Sequence, residues 1–376
     1  MVRGELIEDA AKLELVRSQW DELAVASGNP YALSGWLLPW WRHAAPSAAE
    51  LRAVVALDGD ELVGIAPFFA ARGPGGAAAY RLLGARTSIG VEPLARPGRE
   101  EESAAVFAEQ LAAARPSPEL LVLEGIDADS RWPALLHEAW VGSGLRVRRR
   151  QKTPAPLVEL HGRTYEEWLR ERSGKFRKAI RRGDRRLEER GATLRLATAA
   201  ELQYGLQDFI RLHHARWADR GGSGVVTEQV EQMLAELPAG LDAGQLRLWL
   251  IESGGQTVSA EVFLAAGGVT TSWLGGFDDS FADEQPSFLS IHAEIRHAFE
   301  REDERVDLGP GAQPFKYRFA DGERSLVWVD LVPSSRRRPL IIGALAAGQA
   351  RRRISPLVPR TPKRALKWLL RRGGSQ

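Results

Sequence analysis

The sequence contains no cysteine, two methionines and only seven lysines in 376 residues. The absence of cysteine excludes disulfides, thiol nucleophiles and thiolate metal sites. No stretch approaches the ~20 apolar residues that a membrane-spanning helix requires, and residues 1–10 lack the apolar run of a signal peptide. These absences predict a cytoplasmic protein, and the length leaves room for two domains and a sizeable core.

Acidic residues are also absent after Asp330, where the chain carries twelve Lys or Arg residues. Because the whole chain has a formal charge of +2, residues 1–330 carry −10. Residues 331–376 alternate basic clusters with short apolar runs, a pattern typical of an interfacial helix on an anionic membrane. RNA binding would use the same charges, and a solvated tail that docks on the acidic body is a third interpretation.

A repeat organises the rest of the chain. Residues 51–70 align without a gap on residues 246–265, and each copy reads as a β-hairpin with glycine at its turn. A third strand follows in each copy, and then a helix and a further strand, at about 99–115 and 120–126 in the first copy and about 286–301 and 305–309 in the second. The order β-β-β-α-β therefore occurs twice, which predicts a duplicated α/β (α+β) fold.

A basic segment precedes the second copy. Residues 165–190 read as one or two helices with two neighbouring rows of cations at i, i+4 spacing: Arg177, Arg181 and Arg185, and Lys178, Arg182 and Arg186. Like charges at this spacing repel one another, which favours an anionic partner. A solvated face neutralised by Glu188 and Glu189 explains the pattern equally well.

Residues 201–220 form a further predicted helix, which contains His213, His214 and Trp217. Adjacent histidines point about 100° apart on a helix, so they are a poor metal pair and no metal site is expected. His213 and Trp217 are candidates for the wall of a substrate cleft. A structural histidine and a core tryptophan would fit the same positions.

The ordered set of motifs resembles one group of enzymes. The twofold β-β-β-α-β order, the segments 173–182 and 209–217, and the Gly-rich turn 307–311 followed by Lys316 resemble GNAT-superfamily acyltransferases of the CelD-like branch. These are cellulose-biosynthesis-associated acetyltransferases, related to the FemAB-like peptidyltransferases. The resemblance implies tandem GNAT-like domains, each a mixed β-sheet flanked by helices, with a degenerate first domain at 1–160, a catalytic domain at 161–330 and a basic tail at 331–376.

The resemblance also implies where a donor would bind. An acyl-CoA, acetyl-CoA in the first instance, would insert between the strands at 269–277 and 305–309, with its pyrophosphate on backbone N–H groups at the start of the following helix. The first copy's helix opens with three glutamates (100–102), which would repel a pyrophosphate, so the second copy is the expected site. The residues expected at the donor are Phe277, Asp278, Pro286, Ser287 and Ser290.

Transfer by direct attack of an amine or hydroxyl requires a proton acceptor and oxyanion stabilisation. Glu261 interrupts an apolar strand, where burial would raise the pKa of its carboxyl group and suit it as a base, unless it lies on the solvent face with Ser259. The resemblance assigns oxyanion or leaving-group stabilisation to Lys316, and Asp307 would orient a neighbour or bind acceptor. The residues expected to bind substrate are Lys175, Arg177, Arg181, His213, Trp217, Trp273, Gly309 and Arg318.

The loop at 278–287 departs from the family. GNAT enzymes usually carry a Gln/Arg-x-x-Gly-x-Gly/Ala loop before this helix, whereas this loop has no glycine. Three readings therefore stay open: an acyl-CoA-dependent transferase acting on a cell-envelope or polysaccharide-related small molecule, with a peripheral place at the inner membrane face; a FemAB-like transferase using aminoacyl-tRNA; and a catalytically inactive GNAT-like binding protein. Nucleic acid is expected as a partner only under the second reading.

Overall fold

A computed structural model of the protein describes residues 2–140, 144–218 and 221–354. The strands are β1 (Arg3–Ile7), β2 (Glu50–Leu51), β3 (Ala53–Asp58), β4 (Glu61–Ala66), β5 (Phe68–Arg72), β6 (Ala78–Leu82), β7 (Leu94–Ala95), β8 (Leu120–Asp127), β9 (Leu145–Glu159), β10 (Ala192–Leu196), β11 (Leu246–Ser253), β12 (Gln256–Ala266), β13 (Val269–Phe277), β14 (Arg305–Asp307) and β15 (Gly322–Pro333). The α-helices are α1 (Ala10–Leu15), α2 (Arg17–Ala26), α3 (Ser34–His43), α4 (Glu100–Ala113), α5 (Trp132–Ala139), α6 (Tyr165–Glu171), α7 (Gly174–Glu189), α8 (Leu202–Trp217), α9 (Glu228–Gly240), α10 (Pro286–Glu300) and α11 (Arg338–Ile354).

These strands form one large sheet and one small sheet. The large mixed sheet has the order β10-β11-β12-β13-β14-β9-β15-β8-β6-β5-β2, and the small antiparallel sheet has the order β1-β3-β4-β7. Helices α8 and α10 both contact β12 and β13. Their buried side chains belong to different apolar clusters, so the two helices cover opposite faces of the large sheet. This mixed α/β architecture confirms the predicted fold class.

The two hairpins share one register, residue for residue. Val54 pairs with Ala66 in the first, and Trp249 pairs with Glu261 in the second. The same offset relates the other four pairs of the first hairpin to pairs of the second, and it places a β-bulge at the same point in both. The helix and strand that follow each hairpin are also present, as α4 and β8 in one copy and α10 and β14 in the other. The repeat predicted from the sequence is therefore a structural repeat.

The final strand of each repeat pairs with the other repeat. Strand β9, which follows the first copy, pairs with β14 of the second, whereas β15 pairs with β8 of the first. Strands β9 and β15 also pair with each other along the whole of β15. The sheet is continuous through this exchange, so we treat 1–160 and 161–330 as a proposed division by repeat, with the closing strands exchanged.

The tail begins as an ordered helix. Ile341 and Leu345 of α11 are buried against small apolar residues of β6 and β8, and Arg337 pairs with Glu119 at 2.7 Å. The first apolar run of the tail therefore docks on the body. The second run, at 366–370, lies outside the described residues. Within the described residues, no helix combines the length and apolarity needed to cross a membrane.

The turn between β12 and β13 contacts the first repeat closely. A Cβ at Gly267 would lie 1.9 Å from the Val25 carbonyl oxygen, whereas a Cβ at Gly254, in the equivalent turn before β12, would meet nothing within 4 Å. Both glycines have φ +56, so alanine suffers the same backbone strain at either position. We expect Gly267→Ala to lower the free energy of unfolding by about 1–3 kcal/mol more than Gly254→Ala, measured by urea denaturation. Equal losses would show that the contact between the repeats contributes nothing.

Candidate functional site

Strands β13 and β14 separate after three paired residues. They run parallel from the Val269–Arg305 pair to the Thr271–Asp307 pair, and β13 then continues alone to Phe277. The segment after β14 follows β9 instead, because Leu308 and Gly311 donate to the Pro156 and Pro154 carbonyls at 3.0 and 2.8 Å. In the described structure, this edge of β13 therefore has no strand partner from residue 272 onward. We call the space beside it the gap.

A β-bulge shapes this edge. Val262 pairs with Leu274 and Phe263 pairs with Ser272, so Trp273 is the extra residue. Bulges bend a strand and re-aim its side chains, and they are common beside active sites. An extended ligand in the gap could use the backbone groups that β13 leaves without a strand partner.

Glu261 lies on β12 beside this edge. It is 6% exposed, and its cross-strand partner is Gly275. A Cβ at Gly275 would lie 1.9 Å from Glu261 Oε2, so only glycine leaves room for the carboxylate there. Burial raises the pKa of Glu261 to about 7, against weaker opposing effects of the Ser287 hydroxyl and the Arg216 guanidinium. The solvent-face alternative for Glu261 is wrong.

The start of α10 lies next to this carboxylate. Gln285 caps the helix in a left-handed conformation (φ +55), and Pro286 occupies the first helical position. The preceding turn at 279–284 is held by α7, because Arg186 donates to the Asp283 carbonyl at 2.7 Å and Arg190 donates to the Ser280 carbonyl at 2.9 Å. The loop without glycine thus reaches the helix through a non-glycine residue in a conformation that usually favours glycine.

A basic groove opens beside the α10 N-terminus. Its volume is about 1380 Å³, and Gln285 lies on its edge. Its cations come from the residues just before α7, from one face of α7 and from the turn at 316–318: Arg172, Lys175, Lys178, Arg181, Arg182, Arg185 and Arg318. Its two acids, Glu171 and Asp321, form ion pairs with Arg163 and Arg172. Among the described residues, only Arg185 of the α7 cations in the groove has an ion pair, with Glu189 at 3.3 Å.

Lys316 and Asp307 hold the Gly-rich turn beyond β14. Lys316 is 8% exposed, and its Nζ donates to the Gly309 and Pro310 carbonyls at 3.0 and 2.7 Å. Burial lowers the pKa of Lys316 to about 8, partly offset by Asp307. The Asp307 carboxylate accepts from the Gly309 N–H at 2.8 Å and forms an ion pair with Arg324. Two of the three Lys316 donors are therefore occupied by the backbone.

His213 lies on the opposite face of β13, in α8. Its Nδ1 is 3.2 Å from the Gly275 carbonyl, and its Nε2 is 2.9 Å from the Ser223 hydroxyl. Nδ1–H must donate to the carbonyl, so Nε2 accepts from the hydroxyl. Burial lowers the pKa of His213, which favours this neutral form. In the described part of the chain, no group of three or more His, Asp or Glu side chains is placed to hold a metal ion.

The structure brings some predicted residues to the site and places others elsewhere. Lys175, Arg181 and Arg318 line the groove. Arg177 turns away, and its guanidinium donates to the Arg170 carbonyl at 2.9 Å, at the end of α6. Ser290 is fully buried. Trp273 packs edge-on against Trp36, with ring centroids 5.1 Å apart, and joins the two repeats.

The remaining predicted residues lie around the gap. Phe277 ends β13 beneath the Arg216 guanidinium, 3.8 Å from the ring centroid, and Asp278 accepts from the Ser280 N–H in the next turn. Trp217 lies near His213, with ring centroids 6.2 Å apart. Sequence reasoning gave no role to Arg216 or Arg324, since their partners are distant in the chain.

Part of the chain matches a known protein family. Residues 174–317, which contain α7 to α10, β14 and Lys316, match the family described as "Acetyltransferase (GNAT) domain". No curated protein matches.

Solved structures share the fold over nearly the whole chain. The C-terminal domain of a protein described as a lysylphosphatidylglycerol synthetase from Agrobacterium fabrum has a TM-score of 0.57 at 12% identity, covering 90% of this chain and 95% of its own. L-PGS from Bacillus licheniformis gives 0.55 at 16% identity, with 90% and 96% covered. FemX gives 0.61 at 11% identity, with 86% and 97% covered. At these identities the likeness concerns the fold: the chain has a GNAT-type acyltransferase fold, and the comparisons do not distinguish the CelD-like branch.

The buried Glu261 should make stability depend on pH. Its pKa is about 7 in the folded protein and 4.5 in an unfolded chain, so the folded state binds the extra proton between these values. The contribution is full below pH 4.5 and is lost as the pH rises to about 7, by at most ~1.4 kcal/mol per unit. We expect Glu261→Gln to remove this slope, measured as the difference in urea-unfolding free energy between wild type and variant from pH 5 to pH 8. Parallel curves would mean that Glu261 titrates normally.

Proposed function

We propose that this protein transfers an acyl group from an acyl-CoA, in the first instance acetyl-CoA, to an amine or hydroxyl of a small-molecule acceptor related to the cell envelope or to polysaccharides. The observation that carries the proposal is the open edge of β13, which ends beside the α10 N-terminus and the basic groove. One extended ligand with phosphates at one end and a reactive group at the other would fit this arrangement.

The donor side is supported by charge. Backbone N–H groups at a helix N-terminus attract phosphate, and the groove adds cations to the same place. Lys175, Lys178, Arg181 and Arg182 are exposed and have no ion pair among the described residues, so they are available to an anion. Three glutamates open the corresponding helix of the first repeat, which argues against a second donor site there.

Glu261 is the best candidate base. A group with a pKa near 7 can accept a proton at neutral pH and release it in the next step. His213 is a weaker candidate, because both of its ring nitrogens are engaged by Gly275 and Ser223. Position 66, the first-repeat equivalent of Glu261, is alanine, which supports assigning the chemistry to the second repeat.

Lys316 is placed to support the reacting end of the donor. A Cβ at Gly309 would lie 3.4 Å from the Ser272 carbonyl oxygen and 3.7 Å from Lys316 Nζ, so Lys316 lies where β13 and β14 begin to separate. Ser272 and Gly275 are three strand residues apart, so ~10 Å of β13 separates the Lys316 end of the gap from the Glu261 end. A cation there would stabilise negative charge that develops on the acyl oxygen or the leaving sulfur. At this separation, Glu261 would take the acceptor's proton through intervening water rather than directly.

Donor binding should depend on the groove. We expect the double variant Arg181→Gln/Arg182→Gln to bind acetyl-CoA at least tenfold more weakly than wild type in isothermal titration calorimetry, because each guanidinium contributes a charge-assisted contact to phosphate. The matched control is Arg170→Gln/Arg301→Gln, which removes the same charge from exposed residues outside the groove. Equal weakening by both variants, or no binding of any acyl-CoA to wild type, would contradict the proposed donor site.

Turnover should require ionised Glu261. We expect kcat to fall as the pH decreases through about 7, and Glu261→Gln to lower kcat by about 10²–10⁴-fold and to abolish that limb of the pH profile. Lys316→Gln should lower kcat more than it raises KM, because its charge acts on the transition state. A Glu261→Gln variant with wild-type kcat at every pH would exclude Glu261 as the base.

An aminoacyl-tRNA donor is the second candidate. The loop before α10 lacks the glycines that bring a backbone close to pyrophosphate, and the groove is large and basic enough to hold an RNA end. Titration with charged tRNA in place of acyl-CoA separates the two donors. Binding of either donor without transfer to any acceptor would instead indicate an inactive binding protein.

A further inference from the structure

A second large cleft lies over the first repeat, on the side of the sheet away from α4. Its volume is about 1440 Å³, above the ~300–1,000 Å³ that is common for ligand sites. Alternate residues of β6 and β8 form its floor, including Arg81, Val122 and Glu124, while the intervening Tyr80 and Leu121 belong to the main core. Helix α11 and the loop before α9 form its walls. We call this the outer cleft.

The polar groups of the outer cleft leave an excess of positive charge. Its two carboxylates are already paired, Glu124 with Arg81 at 2.5 Å and Asp330 with Arg150 at 2.8 Å. Three further cations line it, Arg72, Arg86 and Lys152, and none has an ion pair among the described residues. A ligand that complements this surface carries negative charge.

Arg86 is held in place at a conformational cost. It has φ +72, a left-handed conformation that is unfavourable for a residue with a side chain. The next residue is fixed from two sides, since Trp40 donates to the Thr87 hydroxyl at 3.0 Å and Trp273 donates to the Thr87 carbonyl at 2.9 Å. Tertiary contacts thus enforce the strain, as is common at ligand sites.

The lining also has an apolar part, beside polar side chains such as Gln151 and Gln349. Trp40, Phe69, Leu120, Val122 and Leu345 all face the outer cleft, and each is buried in the folded chain. A free inorganic anion would make no contact with this apolar part of the lining. The combination of apolar wall and unpaired cations fits a molecule with an anionic group and an apolar chain.

The outer cleft also leads toward the gap at β13. The Thr87 segment joins it to Trp273 at the bulge, and Gly224 and Val225 join it to Ser223, which contacts His213. These contacts lie on the face of β13 opposite α10, whereas the basic groove lies on the α10 side. The two cavities therefore approach the gap from different directions.

We infer that the outer cleft binds an anionic amphiphile, separately from the basic groove, and that this ligand is the acceptor of the transfer. The second part rests on the proposed function; the first does not. The ligand's negative group contacts Arg86 and Lys152, and its apolar chain lies along the floor between Phe69 and Leu345.

Binding of octyl phosphate to the full chain, below its micelle concentration, tests the chemistry. We expect it to bind at least tenfold more tightly than octyl glucoside, which has the chain without the charge, and than inorganic phosphate, which has the charge without the chain. Equal affinity for octyl phosphate and octyl glucoside would show that the ligand need not be anionic. Equal affinity for octyl phosphate and inorganic phosphate would show a plain anion site rather than a site for an amphiphile.

The location is tested with Arg86→Gln/Lys152→Gln, two exposed residues whose loss should leave the fold intact. This variant should weaken octyl phosphate about tenfold or more, while Arg181→Gln/Arg182→Gln and Arg170→Gln/Arg301→Gln should leave it unchanged. Unchanged affinity of the first variant for octyl phosphate would show that the ligand does not bind in the outer cleft.

Octyl phosphate should also bind equally well with and without saturating acetyl-CoA, since competition would place both ligands in one cavity. If octyl phosphate binds as expected while acetyl-CoA does not, the acyl-CoA proposal fails and the outer-cleft site stands.

Discussion

The antiparallel pairing of β9 with β15 is the constraint on which the rest of the structure depends. It joins the two repeats through the centre of one sheet, because each strand also pairs with the repeat that it does not follow. It also positions the candidate site. With β14 paired to β9, the segment at 308–311 continues along β9. The edge of β13 that faces β14 is therefore left without a strand partner beyond Thr271, while its other edge stays paired with β12. The gap between β13 and this segment therefore follows from strand exchange between the repeats, and separating the repeats would destroy it.

The helices and strands of each repeat could be predicted from the sequence. The pairing of β9 and β15 with the opposite repeats could not. The hairpins, α4, α10 and their following strands could be predicted because apolar periodicity and turn glycines are local signals. The pairing of Trp249 with Glu261 also fits the sequence alignment, in which residues 246–265 match residues 51–70 without a gap. Which strand β9 chooses is decided by packing between residues more than a hundred positions apart. Strand β9 itself reads as a basic, proline-containing stretch with no clear alternation.

The same distinction applies to the site residues. Spacing predicted two rows of cations on α7, and Arg181 of one row and Lys178 of the other line the groove. Arg177 shares the row of Arg181 but meets the end of α6, whose free carbonyls accept its guanidinium hydrogens. Glu261 could be singled out because a carboxylate is unusual within an otherwise apolar strand. Trp273 could not be assigned, because an indole that joins two repeats has the same sequence signature as one that lines a cleft.

The backbone places strain at both cavities. The described non-glycine residues with positive φ are Arg86, Gln285 and Glu302. Glu302 follows the end of α10, where a left-handed residue is a common helix termination. Arg86 instead borders the outer cleft, and Gln285 borders the basic groove. Strain that recurs at the edges of two cavities on opposite faces of β13 fits a site that holds two ligands at once. If donor and acceptor approach one gap from opposite faces, as proposed, both can be held together and transfer can proceed directly within a ternary complex.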